Sequence, residues 1–306
     1  MKKFIVKILL FFGIVVVIDI CVGFAGDYLQ THAKGGSTKE FNDLVKKDKH
    51  DILVLGSSRA HHHYDSPFLS DTLGLDVYNA GYNGNGVILA YGILEMALKN
   101  YKPKLVIFDV EPAFDINVYS EDNQHKRYIS NLKPYYNIEE IGAIIKDISE
   151  EEWFKVHSGM IRYNTDIIKM TIDNVICRCN PVKGYIPANG VYVDEKKNKD
   201  DSNKRGDEPQ IDMVKLEYIE RLICLAKSNC VPIMLVASPK YSASESSVYA
   251  PVKAICKKYD VPFYDYYTAS AYKAHPEWFN EPVHLNRQGA SLFSEEIISH
   301  IKEQLN

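Results

Sequence analysis

The stretch Asp51-Ile52-Leu53-Val54-Leu55-Gly56-Ser57-Ser58-Arg59 decides how the rest of the chain is read. Its apolar residues run without polar alternation and stop at a glycine, the mark of a strand buried on both faces. Such strands belong to parallel sheets, and a parallel neighbour is reached only by a crossover, usually a helix. The same beat recurs downstream. Leu75 to Tyr78, Leu105 to Phe108, Val231 to Ala237 and Val261 to Tyr264 read as further strands. Between them, Val87 to Leu98 has helical spacing and stops before Pro103. Val214, Leu216, Ile219, Leu222, Ile223 and Ala226 recur at helical intervals, and Ala290 to Leu305 closes the chain as an amphipathic helix. Strands separated by helices predict right-handed βαβ units and an α/β fold, its parallel sheet covered by helices on both faces.

Upstream of this domain, Lys2 and Lys3 precede an apolar run from Phe4 to Phe24, interrupted by Lys7 and Asp19. A spanning helix needs about 20 mostly apolar residues, so the run suffices. Lysines ahead of it place the N-terminus inside and the body outside the cytoplasm. Residues 1–28 are therefore expected to be a single-pass anchor, the alternative being a signal peptide cleaved near Ala25. Residues 29–50 are polar, contain Gly35-Gly36-Ser37, and read as a stalk. The α/β domain is expected over 51–306. An insertion at about 114–210 breaks its rhythm, with helical patches near 138–148 and 160–175 and a charged tract from Glu195 to Glu208.

Composition excludes little else. The chain has 306 residues, 46% hydrophobic and 25% charged, ordinary globular usage. A net charge of -4 leaves no basic surplus to neutralise phosphates, so nucleic acid is not an expected partner. Cys21, Cys177, Cys179, Cys224, Cys230 and Cys256 show no zinc-type pairing. Buried free thiols are the default expectation.

In an open parallel sheet, sites lie beyond the carboxyl ends of the strands. Three such places carry candidates. Gly56-Ser57-Ser58-Arg59 puts a serine in a tight turn where a helix starts, which exposes its hydroxyl; an N-cap serine is the plainer reading. Asn79-Ala80-Gly81-Tyr82-Asn83-Gly84 follows the second strand and lets backbone amides approach a ligand; a tight βα connection is the plainer reading. Glu281-Pro282-Val283-His284 precedes the last helix, where an acid three residues before a histidine can orient its imidazole toward a serine.

Together these motifs resemble the SGNH (GDSL-like) hydrolase superfamily, especially its membrane-anchored bacterial branch near the teichoic-acid D-alanylation and polysaccharide O-acetylation proteins. The resemblance covers the core strands and both ends of the domain, not the insertion. It implies a three-layer, flavodoxin-like α/β/α fold, with Ser58 as nucleophile, His284 as base and Glu281 as orienting acid. It also implies an oxyanion hole from the Ser58 and Gly84 amides. Two positions depart from the family pattern. Ala113 in Asp109-Val110-Glu111-Pro112-Ala113 stands where an asparagine normally supplies another oxyanion donor, a place Asn83 or Asn85 would have to fill. Glu281 stands for the usual aspartate. Asp109 and Glu111 are alternative acids, though a buried structural pair is the reading they favour.

His61-His62-His63 cannot all face one ion, because adjacent helical residues point in different directions. Arg59 is expected in a surface ion pair, or on an anionic substrate. Tyr82 and Tyr185 are candidates to line a sugar-binding cleft. The expectation is an extracytoplasmic serine esterase or O-acyltransferase, needing no metal or organic cofactor. Its partners would be an acyl-bearing or acyl-accepting saccharide, the membrane, and a multi-spanning acyl-donating membrane protein. The alternative is a non-catalytic, membrane-anchored glycan-binding or assembly protein that keeps the fold.

Overall fold

A computed structural model of the chain describes residues 1–118, 125–176, 182–193 and 210–306. Five parallel strands form one sheet: β1 (Ile52–Gly56), β2 (Val77–Gly81), β3 (Leu105–Asp109), β4 (Ile233–Ala237) and β5 (Phe263–Asp265). Their order is β2-β1-β3-β4-β5, the doubly wound arrangement of flavodoxin-like sheets. In chain order the longer helices are α1 (Lys2–Thr31), α2 (Gly36–Lys46), α3 (Ser58–His63), α4 (Ser66–Leu73), α5 (Val87–Leu98), α6 (Glu139–Ile148), α7 (Glu150–Lys155), α8 (Gly159–Tyr163), α9 (Asp166–Ile176), α10 (Met213–Ser228), α11 (Ala250–Tyr259) and α12 (Arg287–Leu305).

The residues group into two compact units, Met1–Lys47 with His125–Asn180, and Asp48–Gln124 with Pro181–Asn306. The second unit holds the sheet. Pleating sends Ile52, Val54, Ile107 and Val236 toward α12, where Phe293, Ile297 and Ile301 complete one core layer with them. Helices α3 and α4 pack beside α12, while α10 packs against both α5 and α11. Each fully buried aliphatic or aromatic side chain in these layers contributes about 1.5–3 kcal/mol relative to exposure. Register aligns the strand ends: Gly56 pairs with Gly81 on one side and with Asp109 on the other. The chain therefore leaves three adjacent strands at one level, and the candidate residues follow from there.

Strand β2 runs further than its apolar run predicts, through Asn79, Ala80 and Gly81. Asn79 is buried without cost because its Nδ2 donates to the Ala60 carbonyl at 2.7 Å and the Tyr64 carbonyl at 3.0 Å. The interrupting segment departs and returns at one place. Asn117 bridges Ile211 antiparallel, and the Val118 amide donates to the Gln210 carbonyl at 2.8 Å.

The first unit is helical. Helix α1 is long and apolar enough to cross a membrane, with mean hydropathy 2.9 over its most apolar window. Beyond that window it stays helical to Thr31, so part of the expected stalk is the end of α1 and part is α2. Helix α2 is amphipathic and buries Phe41, Leu44 and Val45. Gln30, Asn42 and Tyr135 close a buried polar triangle, with Gln30 Nε2 donating to Tyr135 Oη at 2.9 Å and the phenol donating to Asn42 Oδ1 at 2.6 Å. A polar-looking sequence hid this packing because its apolar residues are few but all on one face. Cys177, Cys179 and the tract from Glu195 to Glu208 lie outside the described residues. Of the described cysteines, all free, Cys256 is buried while Cys21, Cys224 and Cys230 are exposed, contrary to the expectation of buried thiols.

Candidate active site

Gly56 ends β1 at φ 145°, a conformation L side chains rarely adopt, and a Cβ there would lie 2.7 Å from the Asp109 carbonyl oxygen. The chain thus turns sharply from strand into α3. Ser57, not Ser58, takes the N-cap: its Oγ accepts the Arg59 amide at 3.3 Å and it is fully buried. With the cap filled by its neighbour, the Ser58 hydroxyl is free of that duty. It donates to Nε2 of His284 at 2.7 Å, across 226 positions of sequence.

His284 sits on a loop pinned at both ends. The Asn280 amide donates to the His284 carbonyl at 2.9 Å, and Phe279 bridges Leu285 antiparallel. Asn286 caps α12 through the Gly289 amide at 3.1 Å and turns its Nδ2 to the Glu277 carbonyl at 2.7 Å. The Glu281 carboxylate accepts from His284 Nδ1 and also from the Val283 amide at 3.1 Å. Because the acid faces Nδ1, that nitrogen carries the proton and Nε2 is the acceptor for Ser58. Partial burial would raise the Glu281 carboxyl. The bond from His284 and nearby amides outweigh this and hold it below the ordinary glutamate value.

The three adjacent histidines go three ways. His61 Nδ1 meets Asn83 Oδ1 at 3.2 Å, and His62 Nδ1 donates to the Ile186 carbonyl at 2.7 Å. His63, fully buried, accepts the Leu285 amide on Nε2 at 3.0 Å, so its Nδ1 donates to Ser238 Oγ at 2.8 Å. Burial first, then the Arg59 guanidinium, hold the His63 imidazole far below its ordinary value, and it is neutral. The His62 ring stands edge-on to His284 at 5.3 Å. Burial and then the His62 charge lower His61 to about 4. Among the described residues no cluster has the makings of a metal site.

Arg59 is not at the surface. It is wholly buried, its Nε 2.7 Å from Glu111 and its Nη2 3.1 Å from Asp109, with the Val110 carbonyl at 2.9 Å. Tyr64 Oη also donates to Asp109 at 2.7 Å. Asp109 and Glu111 are thus the buried partners of Arg59 beneath the Ser58 turn, and His284 takes its carboxylate from Glu281. The reason lies in the alternation of α3: Ser58 and His62 project toward the strand ends, while Arg59 and His63 point into the protein.

Gly84 occupies the turn from Tyr82 to Asn85 at φ 68°, closed by the Asn85 amide on the Tyr82 carbonyl at 3.1 Å. The Tyr82 amide donates to the Gly56 carbonyl at 3.0 Å, which ties this turn to the Ser58 turn. Gly81 is forced to be glycine, since a Cβ would lie 2.4 Å from the His61 nitrogen. Asn85 Nδ2 is spent on the Asn83 carbonyl at 3.1 Å. Ala113 lies in a short helical turn, Pro112–Asp115, and its carbonyl accepts from Lys215 Nζ at 3.1 Å. Tyr82 is half-buried. Tyr185 does not line a cleft; it is 6% exposed and belongs to the apolar core.

Sequence reasoning assigned residues 182–193 to the insertion and missed their place. They strap the two site loops together. The Ile186 amide donates to the His61 carbonyl at 3.3 Å, the Arg287 amide to the Ala188 carbonyl at 2.8 Å, and the Tyr192 amide to the Phe279 carbonyl at 2.7 Å. Gly184 passes so close to β2 that a Cβ would strike the Asn79 carbonyl oxygen. That glycine was the only local signal.

No family model matches the chain, and no curated protein matches it in sequence. Among solved structures, it is similar to a presumptive acylhydrolase from Bacteroides fragilis. The TM-score is 0.44 and the identity 13%, over 89% of this chain and 98% of that one.

Proposed function

We propose that the chain is a serine acyl-ester enzyme of SGNH type, held by α1 at the outer side of a membrane and acting on a saccharide of the cell surface. One observation carries the reading: an unbroken hydrogen-bond chain from Glu281 through His284 to the Ser58 hydroxyl. A serine is a weak nucleophile until an adjacent base takes its proton, and that base works best when a third group fixes its tautomer.

In this reading Ser58 Oγ attacks the acyl carbonyl as its proton passes to His284 Nε2. Glu281 stabilises the imidazolium so formed. The tetrahedral adduct collapses by breaking the bond to the leaving alcohol, which takes the proton from His284. Water or a sugar hydroxyl then enters and gives its proton to His284, and the second adduct collapses by breaking the bond to Ser58 Oγ, which takes that proton back from His284. The Ser58 and Gly84 amides are the oxyanion donors the reading requires. With Ala113 in place of a third donor, about 2.7–4 kcal/mol of transition-state stabilisation is absent, which suits transfer to a well-positioned sugar better than rapid hydrolysis. A multi-spanning membrane protein that delivers the acyl group fits the same geometry of a tethered enzyme. Ala113 also favours a second reading, a glycan-binding or assembly protein that no longer turns over.

The test supplies an activated acyl ester and an oligosaccharide acceptor together to the full chain in detergent or bilayer. Acylated sugar from the wild type and none from Ser58→Ala supports transfer. Free acid without acylated sugar supports hydrolysis. An ester left intact by a folded wild type favours the binding protein.

A further inference from the structure

Asp19 lies in the outer third of the apolar run of α1 and is the one acid in it. A charged side chain within a spanning helix costs about 2.5–3.5 kcal/mol at mid-bilayer and is kept where it has partners. Its partners are all at the start of α8. Ser158 Oγ donates to the carboxylate at 2.6 Å, the Met160 amide at 2.9 Å and the Gly159 amide at 3.2 Å. The backbones touch there too: a Cβ on Gly159 would lie 2.3 Å from the Gly23 Cα, the close approach that small residues permit between helices in lipid. Further out, Gly26 passes beneath the Tyr163 ring, and Asp27 accepts from Arg162 at 3.2 Å. Helix α8 therefore runs outward along α1, from the level of Asp19 to that of Asp27.

The outer end of α1 marks its own depth. Phe24 and Tyr28 are exposed, aromatic residues of the kind that settle at the membrane–water boundary. At about 1.5 Å per residue, Asp19 lies roughly 7 Å below Phe24, within the layer where interfacial helices bury their apolar side chains. Beside these contacts Met160 and Ile161 are 46% and 48% exposed.

We propose that the α7–α8 corner is a second membrane contact, in which Met160 and Ile161 enter the outer lipid layer at a depth fixed by Asp19. The occupant is the lipid bilayer itself, and the proposal rests on α1 crossing that bilayer. It gives the helical unit a purpose: α1 is held against a lipid-seated helix and does not swing as a free tether.

The experiment uses the full chain in phosphatidylcholine nanodiscs with a photo-crosslinking residue, p-benzoylphenylalanine, in place of Phe11, Ile161 or Leu292. Lipid adducts detected by mass spectrometry at positions 11 and 161 but not 292 are the expected result, with Asp19→Ala lowering the yield at 161 and leaving that at 11. Adducts at 11 alone would overturn the second contact while leaving the anchor. Adducts at neither would overturn both.

Discussion

The backbone amide of Leu285 donates to Nε2 of His63 at 3.0 Å, one residue beyond the histidine that meets Ser58. A buried neutral imidazole thus holds the base-bearing loop from behind, and Ser238 holds the imidazole in turn. Replacing His63 by leucine leaves the Leu285 amide unsatisfied in a buried place, a loss of about 1–3 kcal/mol. We expect His63→Leu to slow ester cleavage by about tenfold or more, mainly in kcat, as a misplaced base would. His63→Gln keeps an acceptor at nearly the same place and should recover part of the rate. Equal rates in the two variants would leave His63 a purely structural residue.

Glu281→Gln tests the acid. The amide keeps the size but cannot stabilise the imidazolium, and loss of the orienting carboxylate in such triads costs up to about 10⁴-fold in kcat. A fall of at least about 100-fold, with little change in KM or thermal stability, is expected in steady-state kinetics. Unaltered kcat would return Asp109 or Glu111 to consideration as the acid.

Arg59→Met should harm folding rather than chemistry directly. It strips the cation from two buried carboxylates, and breaking such a cluster from one side costs about 3–5 kcal/mol. Arg59→Lys should not restore stability, because an ammonium cannot reproduce the fork that serves Asp109, Glu111 and Val110 together. Urea denaturation measures this. A variant of native stability that has lost activity would instead place Arg59 on the substrate.

These residues show where the sequence was legible. The strands could be read because burial on both faces leaves an unbroken apolar run, and β1, β3 and β4 differ from their predicted spans by two residues at most. Ser58, Glu281 and His284 stood at strand and loop ends, where motif and position agree. Arg59 misled because charge alone suggests exposure, and its two carboxylates lie some fifty positions away. The same holds for His63, whose partners are Ser238 and Leu285. Helix α2 and the strap at 182–193 were hidden for a related reason, since contacts made only in three dimensions leave no local period.

Acid should destabilise the fold at a pH where the carboxylates with ordinary or lowered values are still ionised. His61 is lowered to about 4, and His62 and His63 also lie below the ordinary 6.5, in each case first by burial. The unfolded chain therefore binds more protons than the folded one below 6.5. These histidines' stabilising contribution is complete above that pH and is lost as pH falls toward the folded values. Asp115 works the other way. Burial raises it from 3.8 to about 7, so its contribution is full below 3.8 and lost as pH rises through 7. Three groups against one give a net decline in stability as pH falls from 6.5 to 5. Urea midpoints at pH 7, 6 and 5 should fall in order, less steeply in His63→Gln. Midpoints that rise toward pH 5 would contradict this balance.

Covalent labelling shows whether Ser58 is a nucleophile activated by His284. The full chain is incubated with small and large fluorophosphonates, and the adduct is located by intact-mass and peptide mass spectrometry. One adduct is expected, on Ser58, absent in Ser58→Ala and formed at least about 100-fold more slowly in His284→Ala. A folded wild type that stays unmodified by even the smallest probe, or an adduct that persists in Ser58→Ala, would contradict it.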